Sequence, residues 1–352
     1  MKKLRTFFCY LSGELPSKGL PSHEVIAILK LFNEEIKNFY VYDQVLLVSS
    51  KKNICKEVAE KAAYVHRCGE LIFSISDVNL DTLRKELRKI DFDEIFKNEY
   101  SFAVRIKKIK DYFPEIFEEK IEREIGRIIE GFSSKIIKVN LENPEILFFG
   151  IFTENKFFFG INYMEVKRKE LRQRAPHRRP FFHPCGLDPF LARAMVNLAE
   201  TKPPVTLYDP FCGSGSILIE AALMGFKIIG SDISQKMVRG SSLNLKAISV
   251  QDFSILKADA RKPCLNKISN LVTDPPYGRA SSIYGKNLEN LLSDFFRNNV
   301  DLIDKNSLSI LALPSTLKIS AIASEYNFKI QHKFEYYVHR SLTRDITVLK
   351  KT

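Results

Sequence analysis

Thr206-Leu207-Tyr208-Asp209-Pro210-Phe211-Cys212-Gly213-Ser214-Gly215-Ser216 is the stretch on which the fold turns. A short apolar run ends in an acid, passes a proline and two glycines, and enters the apolar stretch Ile217–Met224. That order reads as strand, tight turn and helix. In open α/β sheets, ligands bind at the carboxyl ends of strands, beside the point where strand order reverses. Gly213 and Gly215 let the backbone approach such a ligand with no Cβ in the way. The dinucleotide fingerprint G-x-G-x-x-G needs a third glycine at position 218, which is Leu218, and the Gly-Lys-Ser/Thr of a P-loop is absent. A pyrophosphate is therefore not the expected ligand, and an incidental tight turn is the alternative.

Outward from this turn the pattern is regular. Candidate strands are Thr206–Tyr208, Lys227–Ser231, Ser254–Lys257, Asn270–Thr273, Ser307–Leu313, Lys329–Tyr336 and Ile346–Lys350, the first five or six separated by helical stretches. Strands alternating with helices imply an α/β fold with a parallel sheet covered on both faces. The last two strands are joined by few residues and are expected to pair antiparallel. Seven strands with one antiparallel member resemble the methyltransferase variant of the doubly wound sheet.

The acids follow this frame. Asp209 repels phosphate but suits a cation such as the amino group of S-adenosylmethionine, and Phe211 lies in the same turn. Asp232, 23 residues later, ends the second strand with Ile233 beside it, where a carboxylate binds ribose hydroxyls in nucleoside-binding sheets. Asp259 ends the third strand and is placed to meet an adenine amine, with Ala260 beside the ring.

After the fourth strand come Asp274-Pro275-Pro276-Tyr277 and then Gly278-Arg279, with Asp274 65 residues beyond Asp209. The exocyclic amine of a nucleobase is a poor nucleophile because its lone pair is delocalised into the ring. A carboxylate (Asp274) and a backbone carbonyl (Pro275) can each accept one N–H, aiming the lone pair at a methyl donor and dispersing the growing positive charge. The prolines stiffen the loop, and Tyr277 offers a face for a flipped base. The expected catalytic residues are Asp274, Pro275 and Tyr277. This tetrad fits guanine, adenine and cytosine alike.

The first half has a different pattern. Thr6–Leu11 reads as a strand rather than the apolar core of a signal peptide, because Ser12, Gly13 and Glu14 interrupt it. A helix from Ser22 (as N-cap) to about Ile36, strands Phe39–Tyr42 and Val45–Ser49 around Asp43-Gln44, a helix near Ile54–Ala63 and a strand near Leu71–Ile75 give the order β-α-β-β-α-β, which is ferredoxin-like. A second α/β stretch runs to about Tyr163, with helices near Leu80–Lys89 and Ile116–Glu130 and strands near Lys135–Asn140, Glu145–Phe152 and Lys156–Ile161.

Net charge is +12 over 352 residues, and its placement is uneven. Residues 1–165 hold 26 basic and 26 acidic side chains, whereas 166–180 hold seven basic and one acidic. Arg172, Arg174, Arg178 and Arg179 make this segment a candidate phosphate-contacting linker, with a solvated face as the bland alternative. A smaller basic run, Arg105 to Lys110, carries the same two readings. The six cysteines form no C-x-x-C pair; scattered thiols suit a reducing cytoplasm and indicate no metal site. No apolar run is long enough to span a membrane.

His177-Arg178-Arg179-Pro180-Phe181-Phe182-His183-Pro184, then Leu191–Leu198, Asp209–Ser216 and Asp274–Arg279, together resemble archaeal tRNA guanosine-10 N2-methyltransferases. Glu145–Ile161 resembles their THUMP domain. The resemblance implies a seven-stranded Rossmann-like methyltransferase domain at 181–352. Before it come a ferredoxin-like domain at 1–75, a THUMP domain at 76–163 and a basic linker at 164–180. It implies S-adenosylmethionine as cofactor, tRNA as partner and transfer to the N2 amine of guanosine 10; the oligomeric state is left open, with a monomer favoured. By analogy Asp209, Gly213, Asp232 and Asp259 bind cofactor, and Phe181, Phe182 and His183 are expected to close over it, with core packing as the alternative for the phenylalanines and a capping or buried histidine for His183. Cys185–Asp188 departs from the family pattern. Other amino-methyltransferases of RNA or DNA, and a non-catalytic RNA-binding protein with a vestigial methyltransferase fold, are the competing readings.

Overall fold

Two sheets organise the chain in the computed structural model, which describes residues 3–13, 19–32, 36, 38–76, 78–277 and 288–352. Gly278 and Arg279 lie outside the described residues. In chain order the elements run β1 (Arg5–Leu11), α1 (Leu20–Leu31), β2 (Phe39–Tyr42), β3 (Val45–Ser50), α2 (Cys55–Lys61), β4 (Val65–Ile75), α3 (Leu80–Leu87) and α4 (Phe92–Ile95). They continue as β5 (Ser101–Lys108), α5 (Glu118–Phe132), β6 (Lys138–Val139), β7 (Ile146–Thr153), β8 (Lys156–Glu165) and α6 (Arg168–Gln173). The remainder is α7 (Pro189–Leu198), β9 (Thr206–Asp209), α8 (Ser216–Leu223), β10 (Lys227–Asp232), α9 (Gln235–Ala247), β11 (Phe253–Lys257), β12 (Leu271–Thr273), α10 (Leu288–Asn299), β13 (Leu308–Pro314), α11 (Ile319–Glu325), β14 (Phe328–His339) and β15 (Leu342–Lys351).

The first sheet has eight strands in the order β2-β3-β1-β4-β8-β7-β5-β6. Its strands β1 to β4 pair antiparallel in the order β2-β3-β1-β4, and β4 pairs antiparallel with β8. The two N-terminal segments expected from sequence are thus joined in one sheet. The run from Ile146 to Phe159 alternates faces, as a strand's period of two demands. Phe148, Phe152, Phe157 and Phe159 pack in one apolar cluster, and Phe149, Ile151 and Phe158 in another. In α5, Ile121, Ile125 and Ile129 recur every four residues and form its buried stripe.

The second sheet has seven strands in the order β11-β10-β9-β12-β13-β15-β14. β11, β10, β9, β12 and β13 are parallel, and β15 runs antiparallel to both its neighbours. Successive residues divide between two cores: Leu207, Val272, Ile310 and Val348 on one side, Tyr208, Leu271, Leu311 and Leu349 on the other. Helices α7 and α8 cover the first face and α10 and α11 the second. Strand order reverses between β9 and β12, so the loops after these strands emerge side by side.

The chain separates into one compact unit holding β1–β8 and another holding α1, residues 61–64 and everything from Lys167 onward. One sequence expectation is corrected. Helix α1 starts at Leu20 on Gly19, whose φ is +89°, while the Ser22 hydroxyl donates back to the Gly19 carbonyl at 2.9 Å; Ser22 is therefore not the N-cap. Residues 164–180 are largely ordered secondary structure, with β8 reaching Glu165, then α6 and a 3-10 turn at Pro176–Arg178. No helix among the described residues is long and apolar enough to cross a membrane.

Candidate active site

The glycine turn begins where β9 ends. Asp209 is 2% exposed, and its Oδ1 accepts from the Thr273 hydroxyl at 2.6 Å and the Phe211 N–H at 3.1 Å. Thr273 is the last residue of β12, so this bond ties the two loops across the switch point. Burial pushes the Asp209 carboxyl up to about 7 against these hydrogen bonds, and the nearby charges of Asp274 and Asp232 add to the rise.

Gly213 and Gly215 adopt φ of +49° and +83°, and Gly215 caps α8. Above Gly213 the nearest atom to a built Cβ is the Phe211 carbonyl oxygen at 3.9 Å, so one face of the turn is open. Asp232, ending β10, accepts from the Gly213 N–H at 3.0 Å and from the Ser234 N–H at 2.8 Å, one bond on each oxygen. Each oxygen keeps a lone pair for a further donor such as a ribose hydroxyl. Burial raises the Asp232 carboxyl, while these N–H groups and the facing His183 hold it down. An open glycine turn flanked by one buried and one half-buried carboxylate fits a cationic nucleoside.

Other expected cofactor residues sit less simply. Asp259 follows β11, and Arg261 grips both its oxygens at 2.6 to 3.1 Å, which lowers its pKa. It is held by its neighbour rather than standing open. The Ala260 carbonyl accepts from Asn299 of α10 at 3.1 Å. Phe211 packs on Phe295, ring centroids 6.0 Å apart. Phe182 and Ile233 are exposed, and His183 is half-buried with its Nδ1 3.3 Å from the Cys185 N–H.

Sequence reasoning missed what docks the 177–184 stretch onto the turn. Asn244 of α9 accepts from the Phe181 N–H at 2.9 Å and donates to the carbonyls of Phe181 and Ser214 at 3.0 and 2.9 Å. The Phe181 ring lies where a Cβ on Gly240 would stand, 2.1 Å from its Cδ1. Any side chain at 240 would displace it. Asp188, in the segment departing from the family pattern, caps α7 by accepting from the Phe190 N–H at 2.8 Å.

Asp274 lies in the loop after β12, and Pro275 beside it is buried. The Tyr277 hydroxyl donates to Asp274 Oδ1, with the Ala312 carbonyl 3.1 Å away as alternative acceptor. Arg344 of β15 donates through Nε to the Tyr277 oxygen at 3.1 Å and through Nη2 to Asp274 Oδ2 at 3.3 Å. Its guanidinium stands 5.4 Å from the Tyr277 ring centroid. Arg344 thus covers one side of the Tyr277 ring. The ring packs into the second core, and the hydroxyl is what reaches the acid. Burial raises the Asp274 carboxyl, opposed by Arg344 and Tyr277.

The basic segment divides in two. Arg174 pairs through Nε and Nη2 with the fully buried Glu220 at 2.7 and 3.0 Å, and Arg193 stands 3.3 Å from the same acid. Arg179 donates to the Ser216 hydroxyl at 2.6 Å and the Arg174 carbonyl at 2.9 Å, and burial pulls its pKa down to about 10. In this structure these two guanidiniums are engaged internally, behind the glycine turn. Arg172 and Arg178 remain exposed. In the smaller run, Lys110 pairs with Asp43 at 2.5 Å and Arg105 donates to the Leu141 carbonyl at 2.9 Å, leaving Lys107 exposed.

Comparison with known proteins agrees with this geometry. Residues 176–346 match the RMKL-like methyltransferase domain, and residues 77–162 match the THUMP domain. The tRNA (guanine(10)-N2)-dimethyltransferase of Methanothermobacter thermautotrophicus is 33% identical, over 97% of this chain and 98% of the relative. The enzyme of the same name from Methanocaldococcus jannaschii is 32% identical over the same shares. The chain belongs to this family. It is an S-adenosylmethionine-dependent methyltransferase. The crystal structure of TrmN from Thermus thermophilus shares the fold at 18% identity, with a TM-score of 0.56 over 99% of this chain and all of that one.

Proposed function

We propose that the protein methylates the exocyclic N2 amine of guanosine 10 in tRNA, giving N2-methyl- and then N2,N2-dimethylguanosine, and that it acts as a monomer in the cytoplasm. The observation that carries this is the position of Asp274. A buried carboxylate stands at the switch point, and Thr273, the residue before it, bonds the acid that opens the glycine turn.

Bound S-adenosylmethionine supplies an electrophilic methyl on a sulfonium. Asp209 offers a buried negative charge to its amino group, and Asp232 offers acceptors to its ribose. Asp274 and the Pro275 carbonyl each accept one N–H of the guanine amine, which turns the nitrogen lone pair out of conjugation and toward the methyl. Ionised Asp274 also disperses the positive charge that grows on nitrogen. Neither proton need leave before transfer; the nitrogen gains the methyl and a positive charge, the neutral thioether is the leaving group, and one proton departs afterwards. Recognition of tRNA falls to the THUMP-containing unit and to the exposed Arg172 and Arg178, which suit backbone phosphates.

The test is incubation with labelled cofactor and unmodified tRNA, followed by nucleoside mass spectrometry. Labelled N2-methyl- and N2,N2-dimethylguanosine are expected, mapping to position 10; label on adenine or cytosine alone overturns the reading. Asp274→Asn should lower turnover roughly 10²- to 10³-fold with cofactor affinity nearly unchanged. Near-normal turnover in that variant removes Asp274 from the chemistry.

A further inference from the structure

The geometry points to Arg344 as a positioning residue for methyl transfer: from the antiparallel strand β15 it fixes the Asp274 carboxylate and the Tyr277 hydroxyl in one network and keeps that carboxylate ready to accept an amine N–H. This rests on the proposed N2-transfer reading and deepens it.

The topology explains why an arginine near the end of the chain reaches the catalytic loop. The parallel strands β9, β12 and β13 deliver their carboxyl ends to the active edge. Strand β15 runs the other way, so the same edge receives its amino end. Its register sets Arg344 opposite Pro314 at the end of β13, with Ala312 two residues back opposite Ile346. At this end of the two strands the Arg344 side chain and the Ala312 carbonyl both come within reach of the Tyr277 hydroxyl.

The contacts are specific in a way a surface arginine is not. Arg344 is 13% exposed and Asp274 16% at the side chain, so solvent screens the pair weakly. Nε and Nη2 reach two different acceptors, a bridging geometry that lysine's single ammonium does not reproduce. The charged and titratable groups facing the network are Tyr277 on the catalytic loop, Asp209 at the end of β9 and Tyr336 on β14. The Asp274 charge adds to the rise of the Asp209 carboxyl, so the two acids repel. Arg344 is the cation that opposes the burial of Asp274. A protonated Asp274 would lose an acceptor and with it the means to draw the amine out of conjugation.

The sign follows. Without the Arg344 charge, ionisation of Asp274 is harder and its pKa climbs, so activity is lost from the acid side first. The experiment compares wild type, Arg344→Met and Arg344→Lys by kcat/KM on tRNA from pH 5.5 to 9, with cofactor affinity by calorimetry. In parallel, cofactor-free protein labelled with carboxyl-¹³C aspartate is titrated by NMR, the Asp274 signal being assigned by its loss in Asp274→Asn. In Arg344→Met the acid limb and the Asp274 titration should both move up by about one unit or more, which is a tenfold or greater loss at low pH that recovers toward pH 9. Arg344→Lys should keep the wild-type limb with lower kcat and unchanged cofactor affinity. A uniform loss across the whole pH range with an unmoved Asp274 titration overturns the inference, as does a limb in Arg344→Lys shifted as far as in Arg344→Met. Absence of guanine N2 methylation by wild type overturns the proposed function instead, and the NMR titration still decides the Arg344–Asp274 linkage.

Discussion

The two sheets handle their charges in opposite ways. In the eight-stranded unit the interior is aromatic, built on Phe148, Phe152, Phe157 and Phe159, and the ion pairs lie outward: Arg5–Glu70, Lys110–Asp43 and Arg84–Glu124 each keep a substantially exposed partner. Such pairs contribute about 0 to 1 kcal/mol each. In the seven-stranded unit, carboxylates are taken inside: Glu24 and Glu220 are fully buried, Asp209 nearly so, and Asp274 mostly. Burying a carboxylate opposes folding unless it is compensated. Glu24 accepts the backbone N–H groups of Ala63 and Tyr64 at 2.8 and 2.9 Å, and Glu220 has its arginines. Asp209 and Asp274 lie instead at strand ends on the ligand edge. The contrast separates an acid buried to brace the fold from one buried to bind.

The largest effect should come from breaking a brace. Glu220→Ala leaves Arg174 and Arg193 buried without their counterion, and the expected loss is about 3 to 5 kcal/mol by denaturant unfolding. Opening Lys110–Asp43 in the other unit should cost less than about 1 kcal/mol. Equal losses would erase the distinction between the two sheets.

Asp209 tests the other half of the contrast. Its pKa, raised by burial to about 7, lies above the unfolded value, so between roughly pH 4 and 7 the native state holds the extra proton. Stability therefore declines as pH rises through that window and levels off above it. A bound cation favours the ionised form, so S-adenosylmethionine should bind more tightly as pH approaches 7, with proton release. Glu24 is also raised to about 7, so the readout is the difference between wild type and Asp209→Asn rather than either slope alone. Melting curves from pH 5 to 8 should show the variant gaining on wild type with rising pH while losing about 100-fold in cofactor affinity at pH 8, the approximate weight of a buried charge contact. Parallel melting curves and equal affinities would make Asp209 a structural acid.

Much of this site was legible in the sequence because local rules wrote it. A glycine turn between an acid-ended strand and a helix, and an Asp-Pro-Pro-Tyr after a later strand, are short-range patterns whose order places them on one edge of a parallel sheet. The brace on Glu220, the Asn244 clasp and Arg344 were not legible, because each depends on partners tens of residues away in the chain. The joining of the N-terminal strands through β4 and β8 was missed for the same reason: register between distant strands leaves no local mark. Composition alone does not divide the basic segment. Arg174 and Arg179 look identical in sequence to Arg172 and Arg178, and only the buried Glu220 and the Ser216 hydroxyl tell them apart.

That last difference yields the smallest and most discriminating test. Arg172 and Arg178 are exposed, so glutamine at both should leave the melting temperature unchanged. If each contacts one tRNA phosphate, the slope of log affinity against log salt should flatten by about 0.7 to 0.9 per residue, a loss of a few-fold at moderate salt. Arg174→Gln and Arg179→Gln should do the reverse, lowering the melting temperature with little direct change in the salt slope, because their guanidiniums are spent on Glu220 and Ser216. A flattened slope confined to Arg172 and Arg178 divides the basic segment into an outward half that meets RNA and an inward half that holds the glycine turn in place. An unchanged slope makes all four arginines part of the fold or its solvated surface, and moves the search for phosphate contacts to exposed cations such as Lys107.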